Sequence, residues 1–195
     1  MKKIIFILFL INIFFYPFFV FAEDKNKEAG RSAYISYKKI LYKYSSDISS
    51  FSIDRYFFYK KYTIKKILEK YNSPLVNNVD DFIQSCFYYE IDCYFLPAIA
   101  GLESKFGHYV IPNSFNPFGW GGGYIFFTNW ADAIDKVAYG IKNNYLNRGL
   151  ENIEQIGRIY SESSNWAKKI EFFINEFEKE EENLRLYFEK NEVKL

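Results

Sequence analysis

The sequence has few residues that bind metals: it contains one histidine, His108, and two cysteines, Cys86 and Cys93. One histidine excludes a His-rich metal site, and no compact cluster of Cys, Asp and Glu replaces it. The glycines at 121–123 lack the spacing and the lysine of phosphate-binding loops, and the chain has no serine nucleophile elbow. We therefore predict a protein that needs neither a metal nor a cofactor.

An excess of charge of one sign is also lacking, since 25 Lys and Arg residues face 24 Asp and Glu residues. This balance gives no general attraction to nucleic acid. The distribution is uneven, because residues 23–70 hold 12 basic and 6 acidic residues and residues 171–195 hold 4 and 8. The basic part predicts either contact with an anionic envelope or membrane surface, or a solvated helix face.

The first 22 residues have the form of a signal peptide. Lys2 and Lys3 precede an apolar run over residues 4–21, and Ala22 is followed by a charged stretch. We predict cleavage after Ala22 and export to the periplasm, the cell envelope or the exterior. An uncleaved membrane anchor is the alternative, because the run approaches the length of a bilayer span. The remaining chain suffices for one domain, and we favour a monomer.

Hydrophobic periodicity in the rest of the chain predicts a mainly α fold with little or no β-sheet. We predict a polar, partly helical linker over residues 23–53, a helical domain over 54–177 and an acidic helical extension over 178–195. The predicted helices cover about 54–71, 79–90, 93–106, 129–148, 153–161 and 165–190. Thr128 is the predicted N-terminal cap of the fourth helix, and Gly107 is the predicted C-terminal cap of the third.

The two cysteines are seven residues apart, and this spacing leaves their pairing open. On one continuous helix such a pair lies about 10 Å apart, which is too far for a disulfide. A turn near Ile91 and Asp92 between the second and third helices would allow a bridge. Two buried free thiols are the alternative.

The third predicted helix carries an acidic residue in an unexpected position. Phe95, Ile99, Leu102 and Phe106 define its apolar face, and Glu103 falls on that stripe. We therefore expect Glu103 to be buried. Burial raises the pKa of a carboxyl group, and a carboxylic acid that stays protonated near neutral pH can donate a proton to a glycosidic oxygen. A rim position or a salt bridge to lysine is the alternative.

Three short blocks resemble the lysozyme-like superfamily of peptidoglycan-cleaving enzymes, especially glycoside hydrolase family 73 and the related lytic transglycosylases. In those families a helix ends in Glu-Ser-x-x-Gly, an Asn-x-Phe-Gly element follows, and an aromatic-rich segment comes later. The matching residues of the first two blocks are Glu103, Ser104, Gly107, Asn116, Phe118 and Gly119. The third block covers residues 160–166, and the similarity spans about residues 62–177.

This resemblance implies a lysozyme-like domain with a glycine-rich cleft loop that binds peptidoglycan glycan strands, with Glu103 as catalytic acid. Lys105, Trp120 and Trp166 depart from the usual family residues, so the bond cleaved is not fixed by the motifs. None of these departures affects the glutamate.

The other candidate site residues each have a structural alternative. Tyr160 is the second candidate catalytic residue, which would position a water molecule or the substrate acetamido group, or else be a core tyrosine. The candidate substrate-binding residues are Ser104, Asn116, Phe118, Gly119, Trp120, Tyr124 and Trp166. Aromatic rings among them could face sugar rings or simply pack, and Asn116 could bind an acetamido group or brace its loop.

A second catalytic carboxylate is not obvious in these blocks. Asp132 and Asp135 are predicted to face solvent, which leaves Glu162 as the better candidate. Without a second acid, the 2-acetamido oxygen of the substrate would attack the anomeric carbon. The resemblance is closer to family 73 than to the lytic transglycosylases, which favours opening of that intermediate by water and thus an endo-β-N-acetylglucosaminidase. The alternatives are a lytic transglycosylase of the same fold, and a catalytically silent cell-wall binding or envelope scaffold protein.

Overall fold

The computed structural model describes residues 49–191, with side chains from residue 55 onward. The predicted signal peptide and residues 23–48 of the predicted linker lie outside the described residues. Within residues 49–191 the chain is helical and contains no β-strand, which confirms the mainly α prediction. The helices are α1 (Ser49–Lys70), α2 (Val79–Tyr89), α3 (Phe95–Ser104), α4 (Trp130–Asn144), α5 (Ile153–Tyr160) and α6 (Trp166–Lys190).

The helices of the C-terminal half begin where the sequence offers side-chain caps. Asn129 caps α4 by accepting a hydrogen bond from the Asp132 amide, and Asn152 caps α5 by accepting one from the Gln155 amide. The prediction that Thr128 caps α4 is therefore wrong by one residue. A 3₁₀ turn, Leu146–Arg148, follows α4, and Gly149 ends it in the left-handed conformation.

The short helix α3 lies at the centre of the core. Its residues from Phe95 to Gly101 are all buried, as is Ser104. Helix α6 packs against it, with Trp166 edge-on to Phe95 and Phe177 stacked on Tyr94. The prediction of a single buried stripe on this helix is wrong, because neighbouring elements cover it almost completely.

The C-terminal end of α3 is tightly coiled. Lys105, Phe106 and Gly107 all have positive φ angles, and Lys105 is the capping residue. The prediction of Gly107 as the cap is therefore wrong by two residues. This reversal turns the Phe106 ring into the core, and Ser73 donates a hydrogen bond to the Phe106 carbonyl. The bend fixes the chain immediately after Glu103.

Lys105 adopts a left-handed conformation, with φ of 50°, that disfavours any residue with a Cβ atom. We expect the Lys105→Gly variant to be more stable than Lys105→Ala by about 1 kcal/mol, because both lose the lysine side chain and only glycine relieves the backbone. Urea denaturation of the two variants measures this difference. Equal stability would show that the backbone at this position is not strained.

A disulfide joins Cys86 in α2 to Cys93 just before α3. Their Cα atoms are 4.8 Å apart. The chain reverses at Glu90, which has a left-handed conformation, and continues through Ile91 and Asp92. The structure thus contains the turn that bridging requires, and decides the open alternative in favour of the bridge.

Helices α1 and α6 run antiparallel and are joined by ion pairs along their length. Lys60 pairs with Glu181, Lys66 with Glu180 and Lys70 with Glu176. The described part of the basic segment, on α1, therefore forms ion pairs with the acidic segment on α6. Residues 178–190 continue α6 without a break, and Glu181 among them is only 7% exposed. No helix in the described part of the chain is long and apolar enough to cross a bilayer.

Candidate active site

Glu103 lies in the last turn of α3 and its side chain is exposed to solvent. The expectation that this carboxyl group is buried is therefore wrong. The reason lies in the neighbours: packed elements cover the other faces of α3 and leave the Glu103 face open. An exposed acid on an otherwise buried helix is held in place by the core and can still reach a ligand.

The two oxygens of the Glu103 carboxyl have different surroundings. Oε1 accepts a hydrogen bond of 2.7 Å from the indole Nε1 of Trp166, at the start of α6. Oε2 faces the backbone of Gly119, where a Cβ atom would lie only 3.0 Å away. Gly119 has a φ of 63° and is partly exposed. The carboxyl is thus placed between a helix start and a loop.

Ser104 and Asn116 hold that loop in position. The Ser104 hydroxyl donates to the Pro117 carbonyl and accepts from the Gly107 amide. The Asn116 amide nitrogen donates to the carbonyls of Trp120 and Ile125, and its oxygen accepts from the Trp120 amide. Both side chains are buried. Both side chains therefore stabilise the loop through its backbone. This is the structural alternative for Asn116, not binding of an acetamido group.

A cluster of aromatic rings lies beside Glu103. The Tyr160 ring stacks on Trp166, with 4.9 Å between the ring centres. The ring centres of Trp120 and Tyr145 lie 5.7 Å and 6.2 Å from that of Tyr160. The Tyr160 hydroxyl donates a hydrogen bond of 2.7 Å to the Phe118 carbonyl. Burial raises the pKa of this hydroxyl well above its ordinary value of 10, and the Glu103 and Tyr145 charges raise it further. Tyr160 therefore stays protonated, with its proton directed at the loop.

The remaining candidate residues are placed differently from one another. The Phe118 ring is completely buried, so the expectation that it faces a sugar is wrong. Trp166 is 2% exposed, which also excludes it as a flat sugar platform. Trp120 is partly exposed, and Tyr124 is 79% exposed at the tip of the glycine-rich segment. Trp120 and Tyr124 therefore remain open to a ligand.

The carboxylates of Asp132 and Asp135 have hydrogen-bond partners of their own. Asp132 accepts from the Thr128 amide and pairs with Lys136, so the expectation that it faces solvent is wrong. Burial alone would raise the pKa of Asp132, but these contacts hold it below its ordinary value. Asp135 accepts a hydrogen bond from Tyr89, and Glu162 is exposed. In the part of the chain described, no cluster of His, Cys, Asp and Glu could hold a metal ion.

Two glycines that support the site are not among the residues predicted from the sequence. Gly140 and Gly157 lie inside helices α4 and α5, where a Cβ atom would come within 2.5 Å of Trp120 and 2.9 Å of Trp166 respectively. Without side chains, they let the two indole rings pack directly on the helix backbones. Glycine inside a helical pattern is costly, and this was the available signal for a packing role.

Replacing Gly119 tests how closely the loop must approach the acid. Gly119→Ala places a methyl group about 3.0 Å from Oε2 of Glu103, so the carboxyl has to move. We expect at least a tenfold loss of any activity that depends on Glu103, since small misplacements of catalytic groups have large effects. Gly123→Ala is the matched control, because Gly123 also has a positive φ but nothing lies within 4 Å of its Cβ position. Equal activity of the two variants would contradict the expectation.

Comparison with known proteins adds no family to this geometry. The chain matched no protein-family model, no curated protein and no solved structure.

Proposed function

We propose that this protein is a glycoside hydrolase that cleaves peptidoglycan glycan strands, with Glu103 as the general acid. The observation that carries the proposal is the state of Glu103: an exposed carboxyl on a buried helix, with one oxygen held by Trp166 and the other beside the Gly119 backbone. A proton donor needs both access to the substrate and a fixed orientation. This carboxyl has both.

We further propose that the helical domain is lysozyme-like. The motif residues resembling that superfamily support this, because they are interlocked in space. Ser104 in the Glu-Ser-x-x-Gly block binds the Pro117 carbonyl of the second block, and Tyr160 in the third block binds the Phe118 carbonyl. Blocks that are distant in the sequence thus converge on the one acid.

In the proposed mechanism, Glu103 transfers its proton to the glycosidic oxygen as the bond to the anomeric carbon breaks. The 2-acetamido oxygen of the same sugar attacks that carbon and takes the place of a second carboxylate. Water then adds to the anomeric carbon and gives its proton to Glu103, which restores the acid. Because the carboxyl is exposed to solvent in the free protein, this mechanism requires the bound sugar to exclude water from it during proton transfer.

Export of the protein is part of the same proposal, since peptidoglycan lies outside the cytoplasm. The Cys86–Cys93 disulfide supports it, because such bonds persist mainly in oxidising compartments. Export rests otherwise on the form of residues 1–22.

Mass spectrometry of the fragments released from purified peptidoglycan tests the proposed function. We expect products with ordinary reducing N-acetylglucosamine ends, because water opens the intermediate. Anhydromuramyl ends would assign the protein to lytic transglycosylation instead. Binding to the walls without release of fragments would indicate a silent binding or scaffold protein.

A further inference from the structure

The hydrogen bond from Trp166 to Glu103 joins a buried donor to an exposed acceptor. The indole is 2% exposed, yet its nitrogen reaches an exposed carboxylate at 2.7 Å. A buried indole N–H requires an acceptor, and here the acceptor is the proposed catalytic acid. The contact joins the first turn of α6 to the last turn of α3.

We propose that Trp166 is a positioning residue, which holds Oε1 of Glu103 so that Oε2 is the oxygen that carries the transferred proton. This inference rests on the proposed function and deepens it. An indole N–H donates a hydrogen bond and cannot accept one. Oε1 must therefore act as an acceptor whether Glu103 is charged or neutral. Because the carbonyl oxygen of a carboxylic acid accepts more strongly than its hydroxyl oxygen, this bond favours the acid proton on Oε2.

The indole is itself fixed on several sides. Its ring stacks on Tyr160 at 4.9 Å, meets Phe95 edge-on at 6.4 Å and packs against the backbone at Gly157. Tyr160 is in turn bonded to the Phe118 carbonyl, next to Gly119. A chain of contacts thus connects Oε1 of Glu103, through the Trp166 and Tyr160 rings, to the loop that borders Oε2. Oε1 cannot move without breaking the hydrogen bond from Trp166.

This geometry also serves the second half of the reaction. The carboxylate left after proton donation keeps the same bond to Trp166, since Oε1 remains an acceptor. Oε2 occupies the same position in both steps, so the oxygen that gave the first proton to the glycosidic bond also receives the proton of the attacking water. The acid therefore needs no rotation between the two steps.

Trp166→Phe tests the role by removing the N–H while keeping an aromatic ring, and Trp130→Phe is the matched control. Trp130 packs edge-on to Phe115 instead. On sonicated peptidoglycan, we expect kcat of Trp166→Phe to fall about 10- to 100-fold, the worth of a hydrogen bond to a charged group, with KM within about threefold. Trp130→Phe should keep kcat. A raised KM with unchanged kcat would overturn the inference, as would a loss explained by the unfolded fraction in circular dichroism.

A second measurement does not depend on activity. The sequence has three tryptophans, so the ¹⁵N spectrum contains three indole N–H signals, and Trp166→Phe identifies the one in question. We expect that signal to move as Glu103 ionises and to stop moving in Glu103→Gln. A signal insensitive to Glu103 overturns the inference even if the wild-type protein cleaves peptidoglycan. A sensitive signal in a protein that releases nothing keeps the positioning of the carboxyl and rejects the proposed function.

Discussion

Replacing Glu103 by glutamine should reduce the release of glycan fragments from peptidoglycan by about 10²- to 10⁴-fold, the usual contribution of a general acid. The amide keeps the shape of the side chain, and its oxygen can still accept the hydrogen bond from Trp166. It has no acidic proton to give to the leaving oxygen. Because Glu103 is exposed, the free energy of unfolding should change by less than about 0.5 kcal/mol.

Glu162→Gln is the matched control for this experiment. Glu162 is exposed in the segment between α5 and α6, next in the sequence to the aromatic cluster. We expect it to lose no more than about threefold, since the proposed mechanism assigns the role of the second acid to the substrate's acetamido group. Chromatography of the released fragments measures both variants, and urea denaturation checks their folding. Equal inactivation would restore a two-carboxylate mechanism, and wild-type release by Glu103→Gln would reject the assignment.

The sequence predicted the helices with strong two-sided patterns well. Helices α2 and α5 begin at Val79 and Ile153 as predicted, and each ends one residue earlier than predicted. Helix α6 begins one residue later than predicted and ends at Lys190 as predicted. These helices cover the core with one face and meet solvent with the other, which is the situation that periodicity describes. Caps and helix ends were less accurate, because local geometry such as the left-handed Lys105 overrides the usual residue preferences.

Helix α3 shows why the exposure of the acid was not predictable. Periodicity reports which face of a helix is more apolar, but not which faces other elements cover. The loop after α3 covers the Ser104 side through the Pro117 carbonyl, a contact over 13 residues. The face left open is the one that carries Glu103. The motif indicated Glu103 as the candidate acid, whereas its exposure depends on tertiary packing alone.

The aromatic residues at the site illustrate a second limit. With 22 Phe and 18 Tyr residues in the chain, composition cannot separate a ring in the core from a ring that faces a ligand. Phe118 proved to be a core residue, whereas its neighbour Trp120 is partly exposed. The charge pattern held more information than expected, because the opposite charges of two distant segments belong to the facing helices α1 and α6.

The most buried of the paired carboxylates on α6 is Glu181. Its carboxylate is 7% exposed and bonds to Lys60, to the Tyr94 hydroxyl and to Arg185. Lys60 also lies over the Tyr94 ring, with its nitrogen 3.9 Å from the ring centre. Burial alone would raise the pKa of Glu181, but the hydrogen bonds from Lys60, Tyr94 and Arg185 outweigh it and hold the pKa below its ordinary value. This group ties α6 to α1 and to the start of α3.

We expect Glu181→Gln to lower the free energy of unfolding by about 3 kcal/mol near neutral pH, because it leaves the buried Lys60 ammonium without its counter-charge. Glu182→Gln, an exposed neighbour, should change it by less than about 0.5 kcal/mol. Adding Lys60→Met to Glu181→Gln should recover part of the loss, since no unpaired charge then remains.

The lowered pKa of Glu181 also predicts how stability depends on pH. A carboxyl whose pKa is lowered by folding stabilises the protein at pH values above its unfolded pKa, here near 4.5, and loses that contribution as the pH falls through its folded pKa. The wild-type protein should therefore lose stability below about pH 4.5 more steeply than Glu181→Gln in urea denaturation at a series of pH values. Parallel pH curves for the two proteins would show that the Glu181 ion pairs do not stabilise the fold.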